Sequence, residues 1–151
     1  MKDFKNTDEI LDFAIQNEQQ AADFYDKLAS ESKQKSMQNT FLQFAKEEKG
    51  HKARLLKIKE EGIYEAPEAA VLDMKISDYL VSVSTSENMT YQEALILAMK
   101  REKAAFRLYM KLADITTNED LKKIFINLAN EEAKHKMNFE LEYDDVVYKE
   151  N

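Results

Sequence analysis

An internal repeat governs this sequence. Shifted by 84 residues, the two halves register without a gap: Leu11 falls on Leu95, Ala14 on Ala98, Glu18 on Glu102, Ala21 on Ala105, Tyr25 on Tyr109 and Leu28 on Leu112. The register continues with Phe41 on Phe125, Ala45 on Ala129, Glu47 on Glu131, Glu48 on Glu132, His51 on His135 and Lys52 on Lys136. A duplicated unit that cannot bury its apolar face alone must pack on its copy. Packing by itself would preserve the apolar positions. Here the polar ones are preserved as well.

The spacing within each unit is helical. Leu11, Ala14, Glu18, Ala21, Tyr25 and Leu28 step by three and four, which places them on one helix face, and the second copy repeats the pattern from Leu95 to Leu112. Phe41, Phe44, Glu48, His51, Leu55 and Ile58 share a face in the next pattern, as do Phe125, Leu128, Glu132, His135, Phe139 and Glu142 in the last. Only two Gly and one Pro interrupt the chain, and no sustained period-2 run offers a strand. The expected fold is all-α: an antiparallel four-helix bundle made of two helical hairpins.

Four helices are expected over about 7–30, 35–61, 91–115 and 118–143, within one domain spanning 1–151. Asn6 with Glu9, and Thr90 with Glu93, have capping-box spacing at the first and third starts. Gly62 suits the end of the second. Two connections are short, so each pair forms a hairpin. The third, 62–90, holds the only proline, Pro67, and is long enough to cross from one end of a bundle to the other. Its stretch from Lys75 to Val83 is apolar enough for a short helix across the bundle.

Composition narrows the function. The net charge is −7 and no window clusters cations, which argues against nucleic acid. The longest apolar runs, such as Ala94 to Met99, fall far short of the roughly 20 residues that span a bilayer, and the start of the chain lacks a signal-peptide stretch. A cytoplasmic protein without membrane or nucleic-acid partners is expected. No cysteine is present, so disulfides and thiolate-held metals are excluded. Any metal must be held by carboxylate and imidazole.

The stripes contain such groups mid-helix on the faces meant for the core, where they are costly to bury unpaired. Two metal ions would resolve that cost. One Glu from each of two helices, with a Glu-x-x-His from each of the other two, is the donor set by which carboxylate bundles hold a metal pair. Glu18 and Glu102 supply the single carboxylates; Glu48 with His51, and Glu132 with His135, supply the pairs. Residues three apart are helix neighbours, so both can reach one ion. The chain has only two histidines, and each has Glu both three and 33 positions before it. Four carboxylates balance two divalent ions, and mixed oxygen and nitrogen donors suit iron or manganese, with zinc as a possible substitute.

Nearby residues carry further expectations. Tyr25 and Tyr109 lie two turns beyond Glu18 and Glu102, placed to donate hydrogen bonds to metal-bound carboxylates. Glu47 and Glu131 sit one residue off the stripe and are expected to be solvated or ion-paired rather than ligating. Gly50, inside a helix at a cost of about 1 kcal/mol relative to Ala, suggests close packing or a small path to the metals. The seven Met are expected to fill core gaps.

These residues resemble the ferritin-like superfamily, specifically the rubrerythrin-type di-iron domain. Glu18 to Tyr25 and Glu102 to Tyr109 look like its Glu-x-x-Ala-x-x-[Phe/Leu]-Tyr segments, and Glu47 to His51 and Glu131 to His135 like its Glu-Glu-x-x-His segments. The resemblance implies that Glu48 and Glu132 bridge two irons, that Glu18 and Glu102 are terminal ligands, and that His51 and His135 bind one iron each. It further implies reduction of hydrogen peroxide or dioxygen, and a homodimer. Two departures stand out. Without cysteine there is no rubredoxin domain, so electrons must come from an external donor such as a rubredoxin-like protein. Met99 and Ala105 flank Glu102 where full-length rubrerythrins carry an extra glutamate. Lys49 stands where bacterioferritins place a haem-binding methionine, which argues against a storage cage. The leading expectation is a di-iron oxidoreductase. The alternatives are an iron-binding ferroxidase or storage protein without a dedicated donor, and a structural bundle stabilised by zinc or manganese.

Overall fold

The three-dimensional structure is a computed structural model that describes residues 3–81 and 89–150. Helix α1 (Thr7–Glu31) and helix α2 (Lys35–Glu61) form one hairpin. A short helix α3 (Glu68–Asp73) lies in the crossover, and α4 (Tyr91–Ile115) with α5 (Glu119–Glu150) forms the second hairpin. Each hairpin is packed along its length, while α1 and α4 touch far less closely. No helix among the described residues is long and apolar enough to cross a membrane.

Local chemistry sets the helix ends. Asn6 caps α1 by accepting from the Glu9 N–H at 2.9 Å. The expected reciprocal bond is absent, because the Glu9 carboxylate accepts from the Lys5 N–H instead. Thr90 and Glu93 complete a full capping box at α4, both bonds at 3.1 Å. Gly62 ends α2 at φ 62°, a left-handed conformation that a Cβ would strain. Asn118 caps α5 through the N–H groups of Asp120 and Leu121.

Two boundaries differ from expectation. Helix α5 continues to Glu150 rather than stopping near Tyr143, since no Gly or Pro ends it. Val146 packs on the core, and Lys149 pairs with Asp145 one turn back at 3.0 Å. The crossover helix lies at Glu68–Asp73, not over Lys75–Val83. Pro67 starts it, its carbonyl accepting from Ala70 and Val71, and buried Val71 and Met74 anchor it. Only a single 3₁₀ turn, Ile76–Asp78, falls in the expected stretch, of which residues 82 and 83 lie outside those described. Tyr64 and Glu65 tie the crossover to the second hairpin, through the carbonyl of Leu112 and the side chain of Thr116.

The core falls into two apolar clusters. One contains Leu11, Leu55, Leu112 and Phe125; the other contains Leu28, Phe41, Leu95 and Phe139. On every long helix the glutamate of the repeated pattern lies between its contributions to the two clusters. A layer of charge is thus sandwiched between two layers of hydrocarbon. Burial of each large apolar side chain contributes about 1.5–3 kcal/mol, which helps offset the cost of that layer.

Candidate metal centre

Glu18 comes from α1, Glu48 and His51 from α2, Glu102 from α4, and Glu132 and His135 from α5. All six are at most 3% exposed. The structure brings them into two overlapping sets. Glu18, Glu48, His51 and Glu132 form one; Glu48, Glu102, Glu132 and His135 form the other, and within each set donor atoms lie within 4.8 Å of one another. Glu48 and Glu132 belong to both, the positions from which a carboxylate can span two ions.

The two histidines point the same ring atom inward. His51 Nδ1 lies 2.9 Å from Glu132 Oε1, 3.4 Å from Glu18 Oε2 and 3.5 Å from Glu48 Oε1. His135 Nδ1 lies 3.1 Å from Glu48 Oε1 and 3.7 Å from Glu102 Oε1. Despite these close approaches, none of Glu18 Oε2, Glu48 Oε1, His51 Nδ1, Glu102 Oε2, Glu132 Oε1 and His135 Nδ1 makes a hydrogen bond of acceptable angle, and all six are buried. Every one of the six residues contributes one orphaned atom. Buried polar atoms are rarely left so, and a pair of cations would satisfy all six at once. The donor set fits such ions: oxygen-rich, one imidazole nitrogen for each, and no thiolate.

Electrostatics point the same way. Burial pushes Glu48 and Glu132 well above the usual carboxylate range, and the charges of Glu18 and Glu102 push them further. Burial disfavours a charged His51, yet the carboxylates of Glu132 and Glu18 outweigh it and push the imidazole up to about 10. His135 also rises, burial again being outweighed by Glu102 and then Glu47. Protons therefore take the place of cations in a metal-free layer, and an ion entering must displace them.

The tyrosines act across the bundle. Tyr25 on α1 donates its hydroxyl proton to Glu102 on α4, and Tyr109 on α4 donates to Glu18 on α1. Neither serves the glutamate of its own helix. Burial, followed by the charges of Glu102 for Tyr25 and Glu18 for Tyr109, holds both phenols protonated well above their ordinary range.

The outer ring atoms are also engaged. His51 Nε2 lies 2.7 Å from Glu131 Oε2, and His135 Nε2 lies 2.9 Å from Glu47 Oε2. The expected ion-paired role of Glu47 and Glu131 is therefore met by the histidines. Phe44 packs on the His135 ring, centroids 4.2 Å apart, a contact that its stripe position alone does not reveal. Gly50 corrects the expectation made for it. It is exposed, a Cβ there would meet nothing within 4 Å, and it does not line the cavity at the cluster. Glu142, on the same α5 face as Glu132, stays outside the cluster and lines a separate cavity of about 390 Å³ beside Tyr91.

A four-helix bundle with two overlapping Glu₃His sets that share two carboxylates is the hallmark of ferritin-like dinuclear carboxylate proteins. The rubrerythrin family profile matches residues 9–143, most of the chain, and the chain belongs to the rubrerythrin family. No match was found among curated proteins or among solved structures.

Proposed function

We propose that this protein is a di-iron oxidoreductase that reduces hydrogen peroxide or dioxygen with electrons from an external donor. Glu18, Glu48, His51, Glu102, Glu132 and His135 would hold the two irons, with Glu48 and Glu132 shared between them. The observation that carries the reading is a cavity of about 240 Å³ lined by all four glutamates and by neither histidine. It opens between α1 and α4, where the repeat-related Ala21 and Ala105 leave room and Tyr79 to Val81 form a wall. A small oxidant can reach the carboxylate side of the layer from there, while His51 and His135 are 2% and 3% exposed.

Iron held there would supply two electrons per cycle, enough to convert hydrogen peroxide and two protons into two waters, or dioxygen and two protons into hydrogen peroxide. The residues around them bind, orient and exclude. Tyr25 and Tyr109 hold Glu102 and Glu18 in place as hydrogen-bond donors, fixing the two terminal carboxylates that border the cavity. The flanking apolar clusters cover the layer on both sides along the bundle axis. The given sequence holds no cysteine for a thiolate electron relay, and we assign the reducing equivalents to an external donor.

The test is stopped-flow mixing of the anaerobically reduced, iron-loaded protein with peroxide or with dioxygen, in the presence of excess artificial reductant. Repeated turnover is expected, peroxide going to water in one two-electron cycle and dioxygen going to hydrogen peroxide in a first cycle and to water in a second. A single stoichiometric oxidation of added Fe²⁺, with no turnover under reductant, would overturn the enzyme reading in favour of iron handling.

A further inference from the structure

The cavity of about 390 Å³ lies between the α1–α2 turn, the start of α4 and the last turns of α5, and none of the six residues of the metal layer lines it. Its size falls in the range of small-molecule sites, about 300–1,000 Å³. Ser32, Tyr91 and Glu142 supply polar groups to its wall, and Met37 and Val146 supply apolar ones. Glu142 is 7% exposed, and neither its Oε2 nor the hydroxyl of Tyr91, both buried, makes a hydrogen bond of acceptable geometry. Burial pushes Glu142 above the usual carboxylate range and Asp145 adds to this; Lys149 opposes it but is paired with Asp145 at 3.0 Å. A buried carboxylate left in this way calls for a cation. Packing does not require a glutamate here, because the 84-residue repeat places it on Ile58, a buried member of the other apolar cluster. There the crossover fills the corresponding place: Tyr64 packs on Phe125, centroids 5.3 Å apart, and the Glu65 carbonyl accepts from Thr116 at 2.8 Å. Ser32, the repeat counterpart of Thr116, lines the cavity instead.

We infer that this cavity binds a small organic cation, a primary ammonium on a short apolar body, whose N–H groups meet Glu142, Tyr91 and Ser32. An ammonium carries three donors and no acceptor, and each of these side chains offers an oxygen that accepts. Burial, and then Glu142, push the Tyr91 phenol up to about 12 while Ser32 opposes them, so the three oxygens lie within reach of one donor group. Met37 and Val146, both half-buried, provide the wall for the apolar body. A metal ion would find a single buried carboxylate, where hard cations take about six oxygens. An anion would be repelled by Glu142. The other charged residues of the wall, Glu31 and Lys33, are exposed and opposite in sign, which leaves Glu142 to set the preference.

The experiment titrates the full chain with n-butylammonium chloride, and in parallel with sodium butyrate and 1-butanol as probes of similar size. Binding is read at the methyl NMR signals of Met37 and Val146, which separates this cavity from the carboxylates of the metal layer. Saturable shifts are expected for butylammonium, with a Kd on the order of 1 mM for so small a ligand. Butyrate and butanol should leave the signals nearly unmoved. Glu142→Gln should weaken butylammonium by about 10–100-fold and Tyr91→Phe by about 2–10-fold, the ranges for a charged and a neutral hydrogen bond. Glu140→Gln, which alters an exposed carboxylate of α5 paired with Lys136, should match the unaltered chain. Melts followed by circular dichroism check that each variant folds, and Tyr91→Phe decides alone if Glu142→Gln does not. A lysine of another chain carries the same ammonium, so Nα-acetyl-lysine N-methylamide is titrated as well; binding of either amine supports the site, and the tighter one identifies the source. The inference is overturned if neither amine moves the two methyl signals, if butyrate or butanol moves them equally, or if both variants bind at full affinity. None of these outcomes depends on metal uptake by the layer.

Discussion

Replacing Glu132 by Gln should stabilise the protein without metal and remove most of what metal adds. Glu132 is 1% exposed and stands among three other glutamates. With every carboxylate ionised and both imidazoles protonated, the layer carries four negative and two positive charges, net −2, which the amide lowers to −1. Burial and the charges of Glu102, Glu18 and Glu48 all disfavour the ionised form at this position. Gln has a similar volume and its amide oxygen can still accept from His51 Nδ1–H, which lies 2.9 Å from Glu132 Oε1, so the swap removes the disfavoured charge without orphaning the imidazole, and relief of repulsion between like charges about 4 Å apart contributes about 1–4 kcal/mol. At ~2–4 °C per kcal/mol for a chain of this size, the metal-free variant should melt at least about 2 °C higher at pH 8. Zinc reverses the order. Each site filled at 100 times its Kd adds about 2.7 kcal/mol, and Glu132 belongs to both donor sets, so its loss weakens both. Melts followed by circular dichroism, with chelator and with excess Zn²⁺, should therefore cross: the variant higher without metal, the unaltered protein higher with it. A metal-free variant that melts lower would refute the repulsion argument. An equal gain from zinc in both proteins would refute ligation by Glu132.

Four other outcomes follow from the same structure. Raised carboxyl groups at Glu48 and Glu132 mean that the folded protein holds protons more tightly than the unfolded chain; their contribution is complete below the unfolded value of about 4.3 and is lost as pH climbs. His51 adds a contribution present below about 6.5 and lost as pH rises through about 10, so the metal-free melting temperature should fall from pH 5 to pH 9 and zinc should suppress the fall; a steady rise would contradict this. Tyr109→Phe leaves Glu18 without its donor and should cost about 1.5–3 kcal/mol in urea unfolding of the zinc-loaded protein. Gly50→Ala should stabilise by about 1 kcal/mol in the same assay, since the added methyl meets nothing. Gly62→Ala should destabilise by about 1–2 kcal/mol, because φ is 62° there.

By itself the sequence determined the helical class, the two hairpins, the inward face of each helix and the six residues that meet in the layer. Those follow from the 3.6-residue period and from the duplication, which copied Glu18, Glu48 and His51 onto Glu102, Glu132 and His135. Only tertiary structure decided the pairings. Tyr25 serves Glu102 and Tyr109 serves Glu18, across 77 and 91 residues of chain; sequence proximity would have assigned each to its own helix. The outer glutamates exchange histidines between α2 and α5 in the same way. Gly50 faces open space, the crossover helix begins at Glu68 directly after Pro67, and the cavity opens between α1 and α4. Period and repeat fix where a residue sits on its own helix. The rotation and axial offset of one helix against another, set by the packing of all four, fix what it touches.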